Sequence, residues 1–64
     1  MDDKIIQTLQ QLNVEGPLDL SEVITMAGVA LAREAGLIDR DDSVAIPVYR
    51  INEHGKAALR AAKA

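Results

Sequence analysis

The side chains of Asp39, Asp41 and Ser43 have the alternating spacing with which a calcium-binding loop begins. Such a loop turns on a glycine directly after the third ligand and ends on a bidentate glutamate at its twelfth position. In this chain Val44 follows Ser43, and Arg50 stands at the twelfth position. Both requirements fail, so we predict no metal site and interpret the segment as a solvated loop tip.

Groups suited to catalysis are sparse. His54 is the single histidine and the chain has no cysteine, which excludes a Cys/His dyad and a zinc site built from these residues within one chain. Ser21 and Ser43 have no adjacent base at a recognisable spacing, and no phosphate-binding glycine run occurs. The sequence therefore predicts a protein that is not an enzyme and that carries no cofactor.

Charge and aromatic content limit the partners. Seven Lys and Arg residues against ten Asp and Glu give a formal net charge of −3, whereas a domain that holds a DNA backbone usually has a basic excess. Tyr49 is the single aromatic residue, and proteins that bind RNA or single-stranded DNA rely on aromatic stacking platforms. We expect no RNA or single-stranded DNA partner, and only weak electrostatic attraction to duplex DNA.

The length of the chain allows one domain, residues 1–64, with a small core of aliphatic side chains. No apolar run approaches the roughly 20 residues that a membrane-spanning helix needs. The amino terminus, MDDK, is acidic where a signal peptide would be basic. We therefore expect a cytoplasmic protein with no membrane partner.

Apolar periodicity and capping residues predict the helices. Ile5, Leu9 and Leu12 recur at helical spacing and predict a first helix over about residues 3–13. Gly36 is placed to end a second helical segment. Asn52 is placed to cap a last helix that runs to about residue 62.

Extended segments lie between these helices. Residues 18–20 alternate apolar, polar, apolar and predict a short strand. Residues 37–38 and 48–51 are apolar, strand-like runs that would form a hairpin around a charged tip at residues 39–43. Pro47 cannot donate to a strand ladder, so we place it at an edge or a bulge.

The segment from Ser21 to Ala35 has two interpretations. It is either one helix of about four turns with Ser21 as its N-cap, or two short helices, 21–27 and 29–35, that meet at Gly28. In the continuous helix, Val29 is exposed beside Met26. This mixed surface is either an interface or a pair of scattered exposed side chains, and Met26 and Val29 are the candidates for protein interaction.

Two phrases of the sequence resemble those of winged helix-turn-helix domains in bacterial transcription regulators. Residues 31–38, LAREAGLI, match the phrase on which a helix commonly closes there, and residues 49–56, YRINEHGK, match the return of the wing into the next helix. Residues 18–23, LDLSEV, are similar to the strand and helix start before the helix-turn-helix. The resemblance implies a small α+β winged-helix-like domain: helix, short strand, helix segment, two-stranded hairpin and C-terminal helix.

The resemblance implies that the chain binds duplex DNA. Its phosphate contacts would be the four basic side chains Arg33, Arg40, Arg50 and Lys56.

The chain departs from this family where the helix-turn-helix should lie. A full motif takes on the order of twenty residues, and Ser21 to Ala35 offers fifteen. The apolar residues 29–32 would begin the recognition helix and cannot hydrogen-bond to base edges, while Asp41 and Asp42 at the wing tip would repel phosphate.

We therefore favour a small regulatory binding module that acts through protein–protein interaction, as a homodimer or as an adaptor to a larger protein. The alternative is a minimal duplex-DNA-binding transcription regulator.

Overall fold

The computed structural model describes residues 2–63. Over this range the chain forms α1 (Asp3–Glu15), α2 (Met26–Glu34), β1 (Ile38–Asp41), β2 (Val48–Ile51) and α3 (Glu53–Lys63). The two strands pair as an antiparallel hairpin. This arrangement confirms the predicted α+β fold class. None of the described helices has the length and apolar character needed to cross a membrane.

Local side-chain caps set the ends of α1 and α3. The Asp2 carboxylate accepts the Lys4 N–H at 2.8 Å, and α1 runs two residues beyond the predicted end before Gly16 closes it with φ 85°. The Asn52 side-chain oxygen accepts the Gly55 N–H at 2.8 Å, which confirms Asn52 as the cap of α3. Each cap satisfies an N–H that has no partner inside its own helix.

The helix before Gly36 begins at Met26, a start that neither interpretation predicted. Its N-cap is Thr25, whose hydroxyl oxygen accepts the Gly28 N–H at 3.2 Å. Ser21 instead donates its N–H and its hydroxyl to Asp19, and a turn occupies residues 20–22. Both the continuous helix and the two-helix division at Gly28 are wrong, because contacts with α1 hold residues 20–24 in a turn and bends instead of a helix.

Gly28 lies inside α2 and allows that helix to approach α1 closely. A Cβ atom at this position would lie 2.5 Å from the Lys4 carbonyl oxygen and closer still to the Thr8 hydroxyl. The same hydroxyl is buried and donates to Lys4 O at 2.9 Å. The glycine is therefore needed for helix packing and not for a turn.

The core lies between the helices and the inner face of the hairpin. Val29 belongs to it and is 2% exposed, so the expectation of an exposed Val29 is wrong. The close packing of α2 on α1 at Gly28 buries the residue that follows. Met26, in the first turn of α2, remains 64% exposed. The buried apolar residues are Leu9, Leu12, Leu18, Val29, Ala32, Ile38, Tyr49 and Leu59.

The turn from α2 into β1 confirms the predicted role of Gly36. Gly36 has φ 74° and donates to Arg33 O at 3.0 Å, and Leu37 donates to Ala32 O at 2.9 Å. These two bonds form the Schellman motif, which satisfies carbonyl groups at the end of a helix. The chain leaves the motif in the direction of β1.

The strand limits differ from the sequence-based prediction in two places. Arg40 lies opposite Tyr49 in the hairpin, and β1 continues to Asp41, so three of the five residues of the expected charged tip are strand. The expected strand at residues 18–20 is reduced to Leu18, which exchanges two hydrogen bonds with Tyr49, at 3.2 and 2.8 Å. As a result β2 lies between Leu18 and β1.

Candidate protein-interaction surface

An open groove of about 430 Å³ runs along one side of the hairpin. We call it the hairpin groove. Its lining is mainly apolar and comes from the turn after Leu18, from β1, and from the residues that lead into β2. The lining residues are Asp19, Leu20, Ser21, Arg40, Ile46, Pro47 and Tyr49.

The strand pairing assembles this groove from distant parts of the sequence. Because Leu18 is bonded to Tyr49, the residues that follow Leu18 lie beside β2. Arg40 is opposite Tyr49 in the register and therefore lies on the same face of the hairpin. Tyr49 is buried between them, and the Arg33 guanidinium lies 5.7 Å from the centre of its ring. The floor of the groove is thus a fixed aromatic side chain.

Exposed apolar side chains surround this floor. Ile46 is 62% exposed and Leu20 is also exposed, and both line the groove, whereas the exposed Val44 does not. Neither Leu20 nor Ile46 was a sequence-based candidate, because Leu20 was predicted as part of a short strand and no pattern singled out Ile46. Met26 is exposed but does not line the groove. The hairpin groove is therefore the candidate interaction site.

Opposite charges lie on the rim of the groove. The Ser21 hydroxyl and N–H, both bonded to Asp19, hold the pKa of that carboxyl below its ordinary value of 3.8. On the β1 side, Arg40 Nε lies 2.9 Å from Asp42 Oδ1. A ligand in the groove would therefore contact an apolar surface between one carboxylate and one guanidinium.

Most of the cations that the family resemblance implies for DNA binding have acidic partners. Arg50 Nη2 is 3.0 Å from Asp41 Oδ2, and Lys56 Nζ is 3.7 Å from Glu53 Oε1. Arg40 is paired as described above. These are exposed ion pairs, which contribute little to stability but do reduce the local positive charge.

The four cations also lie in three different places. Arg50 and Lys56 line one cleft of about 270 Å³ beside the end of α1. Arg40 lines the hairpin groove, and Arg33 lines a shallow hollow on α2. Two of the four candidate phosphate contacts thus line one cleft, while Arg33 and Arg40 line other surfaces.

The calcium-like segment has a local role. The Ser43 hydroxyl and N–H donate to Asp41, and together with Arg50 they lower the pKa of that carboxyl. Within residues 2–63 no group of three or more His, Cys, Asp and Glu side chains is placed to hold a metal ion.

No protein-family model, no curated protein and no solved structure matches the chain.

Proposed function

We propose that this chain is a non-enzymatic regulatory module of winged-helix type, which acts in the cytoplasm by binding protein at the hairpin groove. The partner is a larger protein or a second copy of the chain. The observation that carries the proposal is the exposed apolar lining at Leu20 and Ile46 around a buried Tyr49. Burial of such side chains is the main favourable contribution to protein association.

The winged-helix assignment is supported by the order of the elements. A helix, a strand-like residue at Leu18, a helix, a hairpin and a helix follow one another. The helix that would precede α2 in a full helix-turn-helix is replaced by a turn and bends between Leu20 and Ile24. The order agrees with the sequence resemblance, and the shortened segment agrees with the fifteen-residue spacing.

Electrostatics favour protein over DNA as the partner. Affinity for duplex DNA depends on cations that replace the counterions of the phosphates. Arg40, Arg50 and Lys56 already face carboxylates, so a phosphate would have to compete with Asp42, Asp41 or Glu53. The net charge of −3 adds repulsion at longer range.

Duplex DNA binding is the second candidate, and one observation favours it. Arg50 and Lys56 line the same cleft, so two cations could contact neighbouring phosphates. Fluorescence titration of a labelled mixed-sequence duplex at low and at high salt tests this function. Tight binding that falls steeply with salt and weakens in Arg50→Ala would establish DNA binding in place of the protein-interaction proposal.

Affinity capture from a lysate of the source organism tests the proposed function. The bait is the full chain, compared with Ile46→Asp and with Val14→Asp. Val14 is 82% exposed and does not line the groove, so it provides a matched apolar-to-acid control.

We expect a partner that survives nuclease treatment, binds the wild type and Val14→Asp, and is lost with Ile46→Asp. Equal capture by both variants, or loss of the partner on nuclease treatment, would contradict the proposal. Sedimentation of the free chain distinguishes a second copy from a different protein.

A further inference from the structure

The backbone of β1 has an unpaired side at Arg40. Tyr49 exchanges both of its hydrogen bonds with Leu18, so its N–H and C=O point away from β1. Opposite residues in an antiparallel pair alternate between bonded and non-bonded positions. Arg40, opposite Tyr49, is therefore in a non-bonded position, and its N–H and C=O point away from β2.

A second hydrogen bond confirms this alternation. Asn52 donates to Leu37 O at 3.3 Å, as the register requires when Ile38 and Ile51 form a non-bonded pair. Ile38 is only 3% exposed, whereas Arg40 is exposed. By this alternation the Arg40 N–H and C=O take no part in the ladder between β1 and β2. The accessible part of the sheet edge is thus centred on Arg40.

From this geometry we infer that β1 receives an extended segment of the protein partner as an added strand, with basic side chains at alternate positions. The inference rests on the proposed function and specifies where and how the partner binds. Addition of a strand to a sheet edge derives affinity from backbone hydrogen bonds and specificity from alternate side chains. The Arg40 N–H and C=O supply the first of these contributions.

The outer face of β1 determines the charge of the added strand. Asp39 and Asp41 flank Arg40 and both point to the face opposite to Tyr49. Asp41 is bonded to Arg50, while Asp39 is exposed, with the Asn52 amide 3.4 Å away. Opposite charges on neighbouring strands attract, so lysine or arginine side chains of the partner fit this face.

The inner face of β1 determines which side chains of the added strand can point towards the hairpin groove. Arg40 shares this face with Tyr49 and lies on the rim of the hairpin groove. Side chains of the added strand that point inward therefore meet the edge of an apolar surface that includes Ile46. The segment that fits both faces alternates basic and apolar residues.

A second copy of the chain does not fit this edge. Antiparallel pairing of two β1 strands about a two-fold axis at a charged residue sets Asp39, Arg40 or Asp41 opposite its own equivalent. Like charges directly opposite each other destabilise a pair of strands, and charged edge strands resist self-pairing for this reason. A dimer that pairs through β1 would overturn the inference.

Titration of the full, ¹⁵N-labelled chain with a capped eight-residue peptide of alternating lysine and valine tests the inference. We expect the Arg40 amide to shift and to exchange more slowly with solvent. A peptide of the same sequence with N-methyl groups on alternate amides should not bind, because it lacks the donors that pair with β1. Binding of both peptides alike would overturn the inference.

Two matched pairs of variants separate backbone from side chain. Arg40→Pro removes an N–H that β2 does not use, and proline is tolerated at a sheet edge, so we expect about tenfold weaker binding. Arg40→Ala keeps the N–H and loses only the guanidinium, so it is the matched reference against which the loss of affinity in Arg40→Pro is measured. Asp39→Lys should reverse the preference towards a glutamate–valine peptide, whereas Asp39→Asn should only weaken the lysine peptide. Unchanged Tyr49 and Leu18 amide signals verify the fold of each variant.

Failure of the inference and failure of the proposed function give different results. Wild-type affinity in Arg40→Pro would overturn strand addition. Capture of a protein partner that Ile46→Asp abolishes and Asp39→Lys leaves unchanged would also overturn it, while the proposed function would stand. Steep salt-dependent DNA binding without protein capture would overturn both.

Discussion

Replacement of Gly28 by alanine tests the close contact between α1 and α2. In a solvent-exposed helix this change is favourable by about 1 kcal/mol, because alanine has the higher helix propensity. In this fold the new methyl group would lie 2.5 Å from the Lys4 carbonyl oxygen, 2.7 Å from Thr25 Cγ2, and closer still to the Thr8 hydroxyl. Packing and propensity therefore predict opposite signs for the same substitution.

The geometry indicates that packing prevails. The Lys4 carbonyl belongs to the backbone of α1 and cannot rotate away, so the two helices must separate to admit the methyl group. Overpacking in a well-packed core costs about 1–3 kcal/mol, and three contacts this short place Gly28→Ala at the upper end. After subtraction of the propensity gain, we expect a net destabilisation of about 2 kcal/mol, which lowers Tm by about 8–16 °C in a domain of this size.

Thermal and urea unfolding followed by circular dichroism measure this effect. Ala27→Gly, at an exposed position of the same helix, calibrates propensity alone and should cost about 1 kcal/mol. If Gly28→Ala unfolds at or above the wild-type Tm, the helices do not approach as closely as described and the packing argument is refuted.

Three further predictions concern the hairpin and α3. Gly55→Ala places a methyl group against the Leu37 carbonyl oxygen and, after subtraction of the same propensity gain, should destabilise by about 2 kcal/mol; a wild-type Tm would contradict this contact. Asn52→Ala removes the cap of α3 and should cost about 1–2 kcal/mol in urea unfolding, whereas an Asn52→Asp variant should retain most of the stability. The Ser43 hydrogen bonds lower the pKa of Asp41 below 3.8. The stabilisation that ionised Asp41 gives the folded state is therefore present above pH 3.8 and is lost as the pH falls through the folded-state pKa of Asp41. Ser43→Ala should raise this pKa in an NMR titration, and an unchanged pKa would disprove the role of Ser43.

Local chemistry explains which parts of the fold were predictable. Gly36 and Asn52 act on residues within four positions of themselves, so their roles as helix stop and helix cap follow from the sequence. The hairpin strand 48–51 was predicted with the correct limits because its apolar run is short and lies between Pro47 and Asn52.

The start of α2 could not be predicted because distant contacts determine it. Gln11, on α1, donates its side-chain amide to Glu22 O at 2.9 Å and accepts the Ile24 N–H at 2.8 Å. These two bonds hold the turn and bends before Thr25 against α1. Helical periodicity contains no information on such contacts between distant residues. The predicted exposure of Val29 was wrong because its burial likewise depends on the packing of α2 against α1.

The candidate site was less predictable than the fold. Leu20 and Ile46 meet at one groove because Leu18 bonds to Tyr49, a pairing that no local pattern indicates. The ion pair between Arg50 and Asp41 likewise depends on the hairpin register. Met26 was correctly expected to be exposed, and its role in binding stays a prediction.

Amide chemical-shift mapping of the labelled chain, on addition of the purified protein partner that it captures, tests the proposed mode of action most directly. We expect the perturbed signals to concentrate at residues 18–21, at Arg40 and at residues 44–49. If these signals stay unchanged and the perturbed signals cluster around Arg33, Arg50 and Lys56, and if duplex DNA reproduces that pattern, the proposed mode of action is contradicted.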